Sequence, residues 1–562
     1  MFVVSSKFLE ASAAVCRFFF SKQRQLAPSI GKFGIFFGLF IVIAALCREP
    51  VFSQVLFSGD TTAGNITAGN ITTGAPLRVG AYQVDITPTE FPVYVNGYFN
   101  PRYFTEVLDP LYAKAVAIEC GSEKFVFALL DSCLFSSSIA EEIKAQVQEK
   151  TGFPPDRVCI STTHTHFAPS LTEGGETAIG TPTDEELRAK GVAPYAPKAI
   201  AGTVEAIAGA IERLRPAKFG WFTAREPRHV FCRRFLMKPG TTWEEPADLV
   251  EVTRNLAQMN PPRQSGDIIS PLGVPDQTIY CLAFVRPDET PIALLANYST
   301  HYADGPGIQN RITADFFGVF ARKVTELLGA DEDFVAMLTN GTSGDCNCID
   351  FLNEQPPYDY NIVGEHLAEK VFHAYGTARF RDTASLRVRT DTLTLALRRP
   401  TAEQVAKARA MLAEEGDTLP LTTRRYAELT IAEESLPEER TIPLQTVVLD
   451  DLGICSVPGE LYSFTGARLR ASTPFTTNVM ISLANGYSGY IPPADAFELG
   501  GYTTWRGTSS LEREAEPKIR TKLLSMLRDI EAADKAVTDG DSDNDSDNDS
   551  DNSGDNSSDT GK

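Results

Sequence analysis

The sequence predicts an α/β protein built as a single large mixed-sheet domain, on three observations. Strand-like and helix-like runs alternate from Tyr112 to Val457, which is the pattern of an α/β core. Two strand-like runs, Tyr112–Glu119 and Lys124–Asp131, are separated only by a short turn containing Gly121, so antiparallel pairs also enter the sheet. Nothing between residues 77 and 535 has the composition of a linker.

The elements follow in chain order. After the first pair, Ile139–Lys150 reads as a helix and Arg157–Thr163 as a short β-rich run. Lys198–Leu214 (KAIAGTVEAIAGAIERL) repeats its apolar residues at helical spacing and is an amphipathic helix. Thr278–Val285 and Pro291–Tyr298 are apolar strands, Asp315–Leu328 is a helix and Phe334–Thr339 a strand. Helices over Tyr360–His373 and Ala402–Glu415 come before strands near Thr446–Asp450 and Ile454–Val457. A last helix, Pro517–Ala533, leads into the C-terminal tail.

The two ends have a different character. The chain has 562 residues, 52 basic against 73 acidic, and a net charge of −21. That balance excludes a nucleic-acid partner held through its phosphates and an anionic membrane surface as the main partner. From Asp539 the sequence carries nine Asp and one Lys, −8 of the −21, which leaves −13 for the rest. Residues 536–562 are expected to form a disordered acidic tail, because from Asp539 onward no apolar residue is present to repay ordering. Gly34–Cys47 is a 14-residue uncharged run preceded by Lys7, Arg17, Lys22, Arg24 and Lys32. Residues 1–54 therefore read as a secretory signal or membrane anchor, with the body secreted, periplasmic or membrane-anchored outside the cytoplasm. Residues 55–76, with an internal TAGNI repeat, read as a flexible linker. Eight cysteines remain in the body, and their spacing assigns no disulfide.

Five polar segments stand where strands end. In Ser-Thr-Thr-His164-Thr-His166, residues two apart in extended chain point to one side, so both imidazoles face one site. They can ligate zinc, or supply one ligand and one acid/base; a hydrogen-bonded polar strand end is the plain alternative. His301 follows the apolar strand PIALLANY. Thr339-Asn-Gly-Thr-Ser-Gly-Asp345-Cys-Asn347 is a Gly-rich loop of small polar residues, a form that aims backbone N–H groups at a ligand; a tight structural turn is the alternative. Glu460, in Val-Pro-Gly-Glu460, either caps the following helix or ligates a metal. Tyr487-Ser-Gly-Tyr490, with Tyr502 beyond, offers aromatic wall, phenol donors or a phenolate ligand.

Taken in order, STTHTHFAP, the strand ending in His301, TNGTSGDCN, VPGELYSFTGARLR and NGYSGYIPPADAF resemble the neutral, non-lysosomal ceramidases. The opening RVGAYQVDITP fits as well, and the resemblance runs over residues 77–535. It implies a zinc amidohydrolase that uses a zinc-activated water on the N-acyl amide of ceramide or a related N-acylated lipid, with possible membrane association through the N-terminal segment. Carried over, His164, His301 and Glu460 ligate Zn²⁺, with Tyr490 as the phenolic ligand and Tyr487 close behind it. His166 stands near the reacting carbonyl, Arg233 orients substrate, and Tyr502 lines the pocket. The family loop has Ser where this chain has Asn347, which can hydrogen-bond a substrate but cannot be a covalent nucleophile. The immunoglobulin-like domain common at the family's C-terminus is replaced by the helix and acidic tail. The alternatives are a zinc hydrolase of another amide or ester, or a metal- or ligand-binding module without turnover.

Overall fold

The computed structural model describes residues 74–172, 182, 184–243, 246 and 248–544. The chain divides into two compact units, Met1–Gly69 and Asn70–Lys562, and the described residues all lie in the second. The expected signal or anchor, nearly all of the linker and the end of the acidic tail fall outside them.

Three sheets, each built on four strands with the same wiring, organise this unit. In the first, β1 (Ala75–Asp85), β2 (Tyr112–Cys120) and β3 (Glu123–Leu130) run antiparallel in sequence. Helix α1 (Ser137–Thr151) then carries the chain across to β4 (Val158–Thr162), parallel to β3; two further two-residue strands extend this sheet. Helix α2 (Ala196–Glu212) covers it. It lies so close that a Cβ on Gly80 of β1 would come 2.1 Å from Ala210 O.

The second sheet repeats the scheme. Strands β5 (Lys218–Arg225), β6 (Thr278–Val285) and β7 (Pro291–Tyr298) are antiparallel, and α3 (Asp315–Leu328) leads to β8 (Val335–Asn340), parallel to β7. Helix α4 (Tyr360–Tyr375) packs on α3. In the third sheet β9 (Leu386–Ala396) is followed by α5 (Ala402–Glu414) and α6 (Leu421–Ala432), then β10 (Glu439–Leu449) and β11 (Leu452–Ser456). Helix α7 (Ser463–Ser472) crosses to β12 (Thr477–Ile481), parallel to β11. The long helix α8 (Ala515–Asn544) continues past Ala533, where the sequence places its end.

Each parallel pair needs a crossover helix, and each antiparallel step needs only a turn or excursion. The runs TIYCLAFV and PIALLANY are buried along almost their whole length, as expected of strands covered on both faces. One core unites the sheets: Val79, Val116 and Phe125 of the first meet Leu282, Leu295 and Met337 of the second and Val447, Ile454 and Ile481 of the third. The mixed α/β class read from the sequence stands, with its strands divided among three principal sheets. Among the described residues no helix is long and apolar enough to cross a membrane.

The excursion α5–α6 is anchored through a buried ion pair. Arg506 binds the Glu433 carboxylate and donates to Thr430 Oγ1 at 2.9 Å, and both charged side chains are buried. Removing one partner strands the other charge in a dry interior. Arg506→Met should therefore cost about 3–5 kcal/mol, read as a lower urea midpoint at unchanged slope. Adding Glu433→Leu to that variant should recover most of the loss.

Candidate metal centre

The strand ends of all three sheets meet at one point. Residue His164 lies two past β4 at φ 72, a left-handed conformation rare for a non-glycine residue and found where surroundings enforce it. His301 lies three residues past β7, and Glu460 four past β11. All three side chains are buried. The Nε2 atoms of His164 and His301 are 3.2 Å apart. Glu460 Oε2 lies 3.4 Å from the first and 3.1 Å from the second.

Hydrogen bonds fix each donor. His164 Nδ1 lies 2.9 Å from Cys133 O, just beyond β3, so Nδ1 donates there and Nε2 points to the centre. His301 differs: its Nε2 accepts from Arg233 Nη2 at 2.8 Å, with the lone pair a metal would take, and its Nδ1 is buried without a partner. Tyr487 donates its phenol to Glu460 Oε1 at 3.1 Å, while Oε2 accepts no hydrogen bond. Arg233 also donates to Gly344 O at 2.9 Å and to Tyr490 Oη at 3.0 Å.

His166 Nε2 lies 3.3 Å from His164 Nε2. Its ring stacks on Tyr302 at 4.1 Å and meets the edge of Tyr98 at 5.5 Å. Its Nδ1 is buried without a partner. The electrostatics divide the roles. Burial, then the Arg233 charge, lowers the His301 imidazole to about 3. Burial, then its histidine neighbours, holds His166 well below the usual range. Burial opposes the charge on His164, but Cys133 and Glu460 outweigh it and raise that imidazole to about 10. Burial likewise opposes ionisation of Glu460, yet His164 and His301 keep its carboxyl well below the usual carboxylate range. Burial and the Glu460 charge keep the phenols of Tyr487 and Tyr490 protonated.

The donor set fits a divalent metal. With zinc–ligand bonds of about 2.0–2.1 Å and tetrahedral angles, donor atoms stand about 3.3–3.4 Å apart. The three observed separations, 3.1–3.4 Å, match that spacing. An Oε2 that accepts no hydrogen bond and faces two imidazole nitrogens is where a cation belongs. Two imidazoles and one carboxylate also make an open catalytic set.

The other residues singled out by sequence fall around this group. Arg233, Tyr487 and Tyr490 contact it as described, each of the two tyrosines through a different partner. Tyr502 packs on Tyr490 at 6.0 Å between ring centroids. Asn347 stands apart, its Oδ1 accepting from Ile349 N at 2.9 Å and its Nδ2 donating to Asn260 at 3.2 Å. The Gly-rich loop binds Arg233 through the Gly344 carbonyl rather than through N–H groups. Sequence reasoning missed Cys133, Tyr98 and Tyr302, although Tyr302 directly follows His301. His229 lies outside the group, 2.8 Å from His366.

Gly97 belongs to the site as well. At φ 96 it lies against His166, where a Cβ would come 2.6 Å from Nδ1. Gly97→Ala should lower Tm and displace the His166 ring, because the left-handed backbone costs about 1–2 kcal/mol before the clash is counted. Thermal unfolding together with the His166 ring-proton NMR shifts checks this.

No family model and no curated protein matches the sequence. The fold has counterparts among solved structures. One is neutral ceramidase from Pseudomonas aeruginosa, at TM-score 0.59 and 16% identity, covering 81% of this chain and 74% of that one. A second is a ceramidase described as complexed with C2, at TM-score 0.59 and 14% identity, covering 82% and 76%. The chain therefore has the fold of the neutral ceramidases, with a candidate metal centre of two histidines and a glutamate in its core.

Proposed function

We propose that this protein is a zinc-dependent amidohydrolase that cleaves the N-acyl amide bond of ceramide or a related N-acylated lipid. The observation that carries this reading is the convergence of His164, His301 and Glu460 on one buried point, within a ceramidase fold. The N-terminal segment supports a protein that works outside the cytoplasm, secreted or held at a membrane.

His164, His301 and Glu460 would hold the metal, with Tyr490 or Tyr487 as the phenolic neighbour. Zinc supplies in such a site an activated water and an electrophile for the amide oxygen. The chain's own residues do the rest. The Tyr487 hydroxyl, donating to Glu460 Oε1, keeps the carboxylate turned so that Oε2 faces the histidines. His166, neutral and at 3.3 Å from His164 Nε2, is a proton acceptor that can pass a proton to the leaving amine. The Arg233 guanidinium is fixed by Gly344 O and Tyr490 and offers a positive charge to the developing oxyanion. Asn347, with Oδ1 engaged by Ile349 N and Nδ2 by Asn260, supports a mechanism without a covalent enzyme intermediate.

Purified full-length protein should contain one zinc per chain by elemental analysis and hydrolyse a fluorescent N-acyl-sphingosine. His164→Ala should lose both. Tyr487→Phe should keep the fold and weaken zinc affinity about 10–100-fold, as expected for an outer-shell partner. Bound zinc without turnover would retain the metal centre and move the substrate to another amide or ester. Absence of zinc from correctly folded protein would sink the reading.

A further inference from the structure

Two short strands run beside the metal centre. Phe231–Cys232 and Cys346–Asn347 pair antiparallel, with Cys232 directly opposite Cys346. Arg233 N donates to Asp345 O at 2.9 Å, a ladder bond one residue beyond Cys232 and Cys346. The adjacent 232–346 pair is then of the non-hydrogen-bonded kind. Cα atoms in such pairs approach to about 4.5 Å, inside the range of about 4.4–6.8 Å over which disulfides close. Both side chains leave the ribbon on one face. Both thiols are buried and make only weak contacts: Cys232 Sγ on Arg234 O at 3.0 Å, and Cys346 Sγ on Asp345 at 3.5 Å.

We propose that Cys232 and Cys346 are a disulfide-forming pair whose bond clamps the two strands carrying Arg233 and Asn347 against the metal centre. The strands are already its frame. Arg233 reaches His301, Tyr490 and Gly344, and Asp345 accepts from Ser463 N at 2.7 Å and Ser463 Oγ at 2.9 Å at the start of α7. A covalent link there ties the loop that follows β8 to the strand that leads into Arg233, and the Asp345 contacts join that loop to the segment that follows Glu460.

The oxidation balances against a small-molecule disulfide such as oxidised glutathione. One cysteine thiolate attacks it and releases a glutathione thiol, and the second thiolate displaces the other. The protein loses two protons and two electrons, the protein S–S bond forms, and the glutathione S–S bond breaks. Burial pushes the Cys232 thiol up to about 11 and holds the Cys346 thiol well above its usual range. The thiolates needed for exchange are therefore scarce once the chain is folded, and the bond closes as the chain folds.

The test folds the full chain in a glutathione redox buffer and, in parallel, in dithiothreitol, then denatures and alkylates both samples. The sequence holds ten cysteines; the oxidised sample should show two fewer reactive thiols and a cross-linked peptide joining Cys232 to Cys346. It should also melt several degrees higher, since the link closes a long loop. Cys346→Ala should abolish the cross-link and Cys348→Ala should preserve it. Full alkylation of the oxidised wild type, or a bridge that maps to any other pair, would overturn the proposal. The wild-type peptide map decides by itself if either variant fails to fold.

Discussion

The contact on which this structure depends is the meeting of His164, His301 and Glu460, whose donor atoms stand 3.1–3.4 Å apart with almost no exposure to water. Bringing a carboxylate and two imidazoles together in a dry interior is costly unless each finds a partner there. The chain cannot reach that arrangement locally, because the three residues are supplied by three different sheets. Every sheet must therefore be held in register at its strand ends, and the polar groups around the centre do that. Asn485 accepts from Ile160 N at 3.1 Å and donates from Nδ2 to Gln445 at 2.7 Å, joining the first and third sheets. Asn297 donates to Met480 O at 2.9 Å, and Ser482 N to Asn340 O at 3.0 Å, joining the second and third.

The shared wiring explains why the site lies where it does. Each sheet ends in a parallel pair, and the carboxyl ends of parallel strands open on one side, the usual place for ligands in α/β folds. The third strand of each sheet hands on Cys133, His301 or Glu460 within a few residues, and the fourth hands on His164, the Asn340 loop or the segment bearing Tyr487 and Tyr490. Three left-handed residues stand there too, His164 with φ 72, Leu483 with φ 55 and Asn485 with φ 60. These are positions where the chain turns sharply out of a strand to point a side chain inward.

Much of the core was legible in the sequence because burial on both faces leaves unbroken apolar runs. Thr278–Val285, Pro291–Tyr298 and Asp315–Leu328 match the observed elements at both ends. What was not legible were strands whose faces alternate or are solvated. Strand β9, LRVRTDTLTLA, is mostly exposed along its middle, and its charges conceal its β character. Strands β5 and β12 were also missed, and without them the threefold scheme is invisible. His164 and His166 were legible because two histidines at alternate positions in a chain with only six are conspicuous. Cys133 was not, since its backbone carbonyl, which any residue could supply, meets His164 Nδ1 at 2.9 Å, with Sγ beside it at 3.7 Å. Gly97 was not, because its role is the space it leaves for an imidazole from a distant strand.

Asn347 shows how a single position can change work while the frame around it stays. A residue at the end of the Gly-rich loop invites a role in chemistry, and the family resemblance strengthens that expectation. In this chain both polar atoms of the side chain are spent on architecture: Oδ1 closes the turn to Ile349 N, and Nδ2 reaches Asn260. Asn260 is itself left-handed, at φ 50, and its N–H donates to Arg233 O at 2.7 Å. Asn347 thus braces the strand that presents Arg233. A serine, with one hydroxyl oxygen on a shorter side chain, cannot span both contacts. The carboxamide thus links the loop, through Asn260, to the strand that carries the guanidinium beside His301.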